Sequence, residues 1–310
     1  MVEHGQMRAV VTVIIPVYNR RHVISRALDS ALAQTLPADE IIVVDDGSTD
    51  GTADIVAGNY PMVRLIRQTN RGHCAARNTA IAESRGELLA FLDSDDAWLP
   101  DKLKAQVKVA AIQPDLGIIA TQKYKNRTDY PIKPVSKPRF RRVPFTMFLK
   151  RTKFHPSSVM VPKRVLAELG CFDETLKAAE DRDLWLRIAY QYPVARIKQP
   201  LTAVFEGEDC MSCNRLRQYL SDLEVLAHWN PARQGTYDTE KRMTPLLYQR
   251  YIFSFAIIKS AKLFRRAGSE KAREFLSLVK AQTGLPPFWC HLLDQIMRMI
   301  GLPRERTPQK

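Results

Sequence analysis

The sequence predicts an α/β fold with a mostly parallel sheet, helices on both of its faces, and a helical C-terminal extension. Short apolar runs alternate with stretches of helical periodicity through the first hundred residues. Clusters of Gly, Asp, Ser and Thr separate these runs, and the strand pattern stops after residue 205. Strands that alternate with helices are typical of a doubly wound parallel sheet.

Each element of the first hundred residues has its own signal. Residues 10–17 form a β-branched apolar run that predicts a buried strand. In the next segment, Ile24, Ala27, Leu28 and Ala31 recur at helical spacing. The predicted strands are 10–17, 40–45, 63–67 and 87–92, and the predicted helices are 21–34, 52–58, 73–84 and 100–113.

Beyond residue 113 the pattern changes twice. Residues 123–153 are rich in Lys, Arg and Pro, which predicts a basic loop rather than core. Order then returns at 157–161 and 163–169, followed by a helical stretch at 184–190 and strands at 194–198 and 201–205. Helices alone follow, at 216–228, 245–266, 269–280 and 288–300. We therefore predict a domain over 1–205, with halves near 10–100 and 101–205, and an extension over 206–310.

Composition limits the class of protein and its partners. The chain has 310 residues and a formal net charge of +14, which favours anionic partners such as a phosphorylated substrate, acidic lipid or nucleic acid. There is no signal-peptide core and no apolar run of transmembrane length. The five cysteines include one CxxC, Cys210 and Cys213, without the second pair that a zinc site needs. We expect a cytoplasmic protein, with peripheral binding at the inner face of the membrane as an open alternative.

Polar residues follow the predicted strands where ligands bind in such sheets, at their carboxyl ends. Asp93, Ser94, Asp95 and Asp96 place three carboxylates in four residues after one strand. Mg²⁺ and Mn²⁺ prefer oxygen ligands, and a cation would relieve the repulsion among the carboxylates. The alternative is a solvated turn in which Asp96 caps the next helix. The four residues alone do not separate these interpretations.

Two further acidic pairs are candidates for the same site. Asp45 and Asp46 follow the second strand, where a carboxylate can accept hydrogen bonds from a ribose or a base, or stabilise a tight turn. Asp181, after Glu180, precedes a predicted helix and is either a cap or a general base. The chain lacks both GxGxxG and a Walker-type lysine loop, which argues against a dehydrogenase or an NTPase.

Taken together, these segments resemble glycosyltransferase family 2, a group of inverting enzymes with the Rossmann-like GT-A fold. The resemblance covers about residues 10–205, and its motifs occur in the family's order. They are residues 11–19, 40–52, 70–78, 91–96 and 180–187.

The resemblance implies a role for each candidate residue. Asp181 matches the catalytic base, and Asp95 matches the metal ligand, with Asp93 and Asp96 beside it. The cofactor would be a divalent metal, Mn²⁺ or Mg²⁺. The residues expected to bind the nucleotide-sugar are Pro16, Tyr18, Asp45, Asp46, Arg71, Asp93 and Ser94.

The resulting hypothesis is an inverting glycosyltransferase that moves a sugar from a nucleotide-sugar, with UDP-sugars favoured, to an acceptor hydroxyl. We expect a saccharide or lipid-linked acceptor and a bacterial surface polysaccharide or glycoconjugate as product. The C-terminal helices could join two copies of the chain, and the basic loop or the last helix could bind an anionic membrane. His155 is a second-rank candidate for contact with the acceptor or a phosphate.

Two rival functions remain at the sequence level. A metal-dependent nucleotidyltransferase would share the carboxylates and the nucleotide. A basic nucleic-acid-binding module would explain the charge, but the chain has no recognised nucleic-acid-binding motif. We therefore expect no nucleic-acid partner.

Overall fold

The structure, a computed structural model, describes residues 9–125, 134–150, 154–176, 178–205, 215–228, 245–283 and 285–299. It divides into two compact units. The first comprises Met1–Phe148, Thr152–Thr175 and Asp183–Gly207, and the second comprises Leu149–Arg151, Leu176–Arg182 and Glu208–Lys310. Cys210 and Cys213 lie outside the described residues, whereas Cys74, Cys171 and Cys290 are free thiols.

One mixed sheet organises the first unit, and the described residues contribute nine strands to it. Along the sheet the order is β3-β2-β1-β4-β8-β6-β9-β5, and β7 pairs with β9. The strands are β1 Val11–Val17, β2 Glu40–Asp45, β3 Arg64–Arg67, β4 Leu88–Phe91, β5 Ala97–Trp98, β6 Ile118–Lys125, β7 Phe140–Arg142, β8 Val159–Pro162 and β9 Val194–Val204.

The helices have the following bounds. They are α1 Ile24–Leu32, α2 Thr52–Asn59, α3 His73–Glu83, α4 Lys102–Ile112, α5 Thr146–Lys150, α6 Lys163–Leu169, α7 Glu180–Gln191, α8 Arg215–His228, α9 Pro245–Thr283 and α10 Pro287–Met299. A 3-10 turn, Pro156–Ser158, precedes β8. The last three helices belong to the second unit.

The predicted parallel half of the sheet is present. Strand β1 pairs in parallel with β2 and with β4, and β2 pairs in parallel with β3. All of β1, β2 and β4 is buried, as their continuous apolar sequences predict. The remainder of the sheet is mixed, because β8 runs antiparallel to both β4 and β6.

Several predicted elements differ from the structure. The strands expected at 194–198 and 201–205 form one strand, β9, whose parallel pairing with β6 is interrupted by register shifts. Helix α7 begins at Glu180, so Asp181 lies inside its first turn. The helices expected at 245–266 and 269–280 are both within α9, where Gly268 interrupts the helix with φ 84°.

The basic loop predicted over 123–153 is wrong for most of its described residues. Strand β6 continues to Lys125, and β7 and α5 also lie in this span. Val135, Val143 and Phe145 are buried. The basic composition of the segment obscured these elements, although apolar residues within it are buried.

The helices of the second unit pack on one another. In α10, Leu293 and Met297 are buried, and the Trp289 ring lies 4.7 Å from that of Phe253 in α9. Phe288, on the same helix, is exposed. Within the described residues, no helix combines the length and the apolar character needed to span a membrane.

Candidate active site

The carboxyl ends of three adjacent strands bring the predicted polar residues to one edge of the sheet. Val17 at the end of β1 is in register with Asp45 at the end of β2, and Ile14 of β1 is in register with Phe91 of β4. In the sheet, β2 lies on one side of β1 and β4 lies on the other. This reversal of strand order is where open α/β sheets form ligand crevices.

The acidic loop, residues Asp93 to Asp96, is a tight turn held by its own backbone and by two side chains. The Asp96 N–H donates to the Asp93 carbonyl over 3.1 Å. The buried guanidinium of Arg77 donates to Asp93 Oδ1 at 2.7 Å, and the Asp93 N–H donates to Ser157 Oγ at 3.0 Å. Asp93 is therefore fixed at both its backbone and one carboxylate oxygen.

Asp96 is almost completely buried, with 1% of its surface exposed. Ser157 Oγ donates to its Oδ2, and the Phe205 N–H donates to its Oδ1 at 3.1 Å. Burial, followed by repulsion from Asp93, raises the pKa of Asp96 to about 8, although the Ser157 hydrogen bond opposes this shift.

The capping interpretation of Asp96 is wrong. The residues that follow it, Ala97 and Trp98, form strand β5, and α4 begins only at Lys102. The acidic loop therefore joins two strands, and its carboxylates do not close a helix terminus.

Asp95 is partly buried, between the carboxylate of Asp93 and the guanidinium groups of Arg20 and Arg26. The Arg26 guanidinium donates to the Asp95 carbonyl and stacks 3.8 Å from the centre of the Phe205 ring. Burial and the neighbouring Asp93 raise the pKa of the Asp95 carboxyl, whereas Arg20 and Arg26 lower it.

His155 joins the acidic loop from a distant part of the chain. Its Nδ1 lies 3.2 Å from Asp96 Oδ2 and 3.7 Å from Asp93 Oδ2. Ligand atoms of Asp93, Asp96 and His155 all lie within 4.8 Å of one another, close enough to hold one metal ion. In the part of the chain that the structure describes, this group contains Asp93 and Asp96 but not Asp95.

Ser157 also connects the acidic loop to the buried interior. Its carbonyl accepts a hydrogen bond from Trp98 Nε1 at 2.7 Å. The fully buried Lys102 lies over the Trp98 ring, 3.7 Å from its centre, and donates to Gln106 Oε1 at 2.8 Å. Burial lowers the pKa of Lys102 well below its usual value.

The residues predicted to bind the nucleotide also lie at this edge of the sheet. Pro16 lies in β1, and the Tyr18 ring after it is 47% exposed and available for stacking. Asp45 accepts a hydrogen bond from the Ser48 N–H at 3.0 Å, which is the tight-turn role left open by the sequence. Ser94 is buried in the acidic loop.

Asp46 holds the segment that leads into α3. Its carboxylate accepts hydrogen bonds from the N–H groups of Arg71 at 2.9 Å and Gly72 at 2.7 Å, and from Gln68 Nε2 at 2.7 Å. The Arg71 side chain extends to Glu174, 3.0 Å away. These bonds fix the loop after β3 at the same edge of the sheet.

Asp181 belongs to the second unit. Its Oδ1 accepts a hydrogen bond from the N–H of the next residue, Arg182, at 2.7 Å, in the first turn of α7. The structure thus brings Asp93, Asp95 and Asp96 together in the first unit, and it describes Asp181 within the second.

Sequence reasoning missed four residues of this site or left them in a lower rank. Arg77 lies within residues 70–78, one of the motifs shared with the family, so the sequence could have indicated that it belongs to the site. His155 was noted as a single histidine, but nothing local linked it to the acidic loop. Ser157 and Arg26 had no signal, since each reaches the loop through tertiary contacts.

A model of the family described as glycosyl transferase family 2 matches residues 12–170, about half of the chain. The chain belongs to that family. An uncharacterised glycosyltransferase of Rickettsia prowazekii (strain Madrid E) is 32% identical over 183 residues, which are 57% of this chain. The match spans 58% of the relative, less than two thirds of its length.

Solved structures show the same fold. S. aureus TarS 1-349 in complex with UDP-GlcNAc has a TM-score of 0.61 at 17% identity, over 94% of this chain and 92% of that one. The mannosyltransferase PcManGT from Pyrobaculum calidifontis, in complex with GDP-Man and Mn2+, has a TM-score of 0.56 at 24% identity, over 95% and 81%. The predicted GT-A fold is confirmed.

Proposed function

We propose that this protein is an inverting glycosyltransferase that moves a sugar from a nucleotide-sugar, with UDP-sugars favoured, to an acceptor hydroxyl. The observation that carries the proposal is the acidic loop at the carboxyl edge of β1, β2 and β4, fixed by Arg77 and Ser157. Family membership and two structural neighbours bound to nucleotide-sugars support it.

The donor set of the acidic loop suits a divalent cation. Asp93, Asp95 and Asp96 offer the carboxylate oxygens that Mn²⁺ and Mg²⁺ prefer. When bound, such a cation supplies positive charge opposite the diphosphate of the donor. The PcManGT complex with GDP-Man and Mn2+ supports a divalent metal as cofactor.

The nucleotide would lie along the edge that Asp46 and Tyr18 define. The exposed Tyr18 ring offers a face on which a base can stack. With Asp46 holding the backbone of Arg71 and Gly72, the neighbouring loop is fixed before the donor binds. Arg20 and Arg26, whose charges act on Asp95, are placed to attract the anionic diphosphate.

Asp181 is the proposed catalytic base, on the strength of its match to the family motif. Its carboxylate would take the proton of the acceptor hydroxyl while that oxygen attacks the anomeric carbon. The bond from this carbon to the diphosphate oxygen breaks as the new bond forms, so the products are the glycoside with inverted configuration and the nucleoside diphosphate.

The test is a donor screen followed by a base variant. Purified protein with Mn²⁺ or Mg²⁺, a panel of nucleotide-sugars and saccharide acceptors should release nucleoside diphosphate. NMR of the product should show an inverted anomeric centre. Pyrophosphate release would instead indicate the rival nucleotidyltransferase.

Asp181→Asn is expected to keep donor affinity and lose transfer by at least about a hundredfold, because only the proton acceptor is removed. Isothermal titration with the donor and a steady-state assay measure the two effects separately. Asp115→Asn, which removes an exposed carboxylate paired with Arg142, is the control. Full activity of the Asp181→Asn enzyme would refute the base assignment.

The acceptor and the location of the enzyme are proposed from the sequence. A saccharide or lipid-linked saccharide acceptor, and synthesis of a bacterial surface polysaccharide or glycoconjugate, fit a family 2 enzyme that acts in the cytoplasm. Peripheral contact with an anionic membrane would bring it to a lipid-linked acceptor. Association of two copies through the C-terminal helices also remains a prediction.

A further inference from the structure

The two carboxylates next to His155 are oriented in the same way. Asp93 uses Oδ1 for the Arg77 guanidinium, and its Oδ2 faces His155 Nδ1 at 3.7 Å. Asp96 uses Oδ1 for the Phe205 N–H, and its Oδ2 faces the same nitrogen at 3.2 Å. Asp93 Oδ2 and Asp96 Oδ2 are therefore both directed at His155 Nδ1, and Asp96 Oδ2 also accepts the hydrogen bond of the Ser157 hydroxyl.

The spacing of these atoms matches a coordination sphere. Ligands bound at about 2.1 Å and at right angles to each other lie about 3.0 Å apart, and ligands on opposite sides lie about 4.2 Å apart. The separations of 3.2 and 3.7 Å between His155 Nδ1 and the two carboxylate oxygens lie within this range. A cation at the centre would contact all three side chains after small movements.

His155 is held in place by its own backbone. The Ser158 N–H and the Ser158 hydroxyl both donate to the His155 carbonyl, at 2.8 and 2.7 Å. Pro156 follows it and opens the 3-10 turn, while Ser157 in the same turn bonds Asp93 and Asp96. One short segment thus fixes the His155 backbone and bonds both carboxylates.

We propose that His155 is a direct ligand of the divalent cation, together with Asp93 and Asp96. An imidazole nitrogen favours Mn²⁺, Co²⁺ or another transition ion over Mg²⁺, which prefers oxygen ligands. The site therefore selects a transition metal, and His155 makes that selection. This inference rests on the proposed function, because the cation is the one that serves the nucleotide-sugar.

The test detects the metal–nitrogen bond itself. Mn²⁺ is added to the protein with UDP, and pulsed electron paramagnetic resonance records the modulation from a directly bound ¹⁴N nucleus. We expect this modulation in the wild type, its replacement by the ¹⁵N pattern in protein labelled with ¹⁵N-histidine, and its loss in His155→Gln. The exposed His22 provides the matched control, His22→Gln, which should keep it.

Affinity gives a second readout. His155→Gln should weaken Mn²⁺ binding at least about tenfold, with a smaller change for Mg²⁺. Thermal unfolding checks that the variant is folded, and His155→Asn replaces it if it is not. A wild type that binds Mn²⁺ without nitrogen modulation, or that binds no Mn²⁺, overturns the inference, as does modulation that persists in the variant.

The two proposals fail in different ways. Nucleoside diphosphate release without a metal–nitrogen bond removes the role of His155 and leaves the glycosyltransferase. A metal–nitrogen bond in a protein that releases no nucleoside diphosphate with any donor removes the proposed function and leaves the metal site.

Discussion

At the scale of single residues, Ser157 has the largest number of connections to the acidic loop. Its hydroxyl accepts from the Asp93 N–H and donates to Asp96, and its carbonyl accepts from Trp98 and, at 3.4 Å, from Thr202 Oγ1. A substitution removes the hydroxyl and leaves the backbone carbonyl in place. The contribution of the hydroxyl hydrogen bonds to stability can therefore be measured separately.

Ser157→Ala is expected to lower stability by about 1–3 kcal/mol, since it leaves a buried N–H and a buried carboxylate without their partner. It should also weaken Mn²⁺ binding, because Asp93 and Asp96 lose their common anchor. Ser84→Ala is the matched control, as the Ser84 hydroxyl is also buried and bonds the Ile81 carbonyl, away from the acidic loop. Denaturant unfolding and Mn²⁺ titration test both; unchanged metal affinity for Ser157→Ala would contradict the prediction.

Asp96 gives the metal-free protein a pH-dependent stability. Its pKa of about 8 in the folded state lies above the unfolded value of about 3.9, so the folded state binds the extra proton between these limits. Stability should therefore fall as the pH rises from 4 to 8, and level off above 8.

The measurement is the unfolding temperature in EDTA across this pH range. Relative to Asp96→Asn, which cannot titrate, the wild type should lose stability as the pH rises. Adding Mn²⁺ at pH 8 should restore it, because a bound cation favours the ionised carboxylate. A constant difference between the two proteins would show that Asp96 titrates normally.

At the scale of elements, a largely buried charge cluster connects residues of α7, α8 and α9 within the second unit. Arg182 of α7 lies 2.8 Å from Asp222 of α8 and donates to the Leu149 carbonyl at 2.8 Å. Lys259 of α9 lies 3.2 Å from the same carboxylate and 4.0 Å from the centre of the Tyr219 ring. Two cations thus share one acid, which makes Asp222 the critical member.

Asp222→Asn should destabilise the second unit by about 3 kcal/mol, since it leaves the buried Arg182 and the partly exposed Lys259 without their counter-charge. The control is Asp294→Asn, which breaks the ion pair with Lys280 at 2.7 Å, where both side chains are partly exposed, and should cost less than about 1 kcal/mol. Thermal unfolding compares the two variants. Equal losses would mean that the cluster contributes no more than a surface pair.

At the scale of the whole molecule, part of the net charge of +14 lies on two neighbouring strands, β7 and β9. On neighbouring strands β7 and β9, Arg141 is in register with Arg196, and the Lys198 N–H donates to the Arg139 carbonyl. Burial and the charge of Arg141 lower the pKa of Arg196. Like charges in register destabilise a sheet, and an anionic partner would relieve them.

We expect this basic strand pair to contribute to binding of vesicles that contain phosphatidylglycerol. Arg139→Ser with Arg141→Ser should reduce sedimentation more than Arg64→Ser with Arg67→Ser, which removes the same charge from arginines paired with acids. Binding should weaken with salt, because the attraction is electrostatic. Equal reduction in both double variants would show that only net charge matters.

Local pattern was sufficient to predict the parallel half of the sheet and the edge at which polar residues collect. Strand β2 begins and ends at the predicted residues, because a continuous apolar run bounded by turn residues marks it. Strand β5 was missed, since two residues carry no periodicity, and the elements within 123–153 were hidden by their basic composition.

The sequence by itself determined the family, the fold class and the position of the acidic loop, because each depends on residues that are close together in the chain. Only the tertiary structure decided the surroundings of that loop. Arg26 reaches Asp95 across 69 residues, Ser157 reaches Asp96 across 61, and the Phe205 N–H reaches it across 109. Such contacts have no period or spacing in the sequence, since they form only when the strands that carry them pack into one sheet.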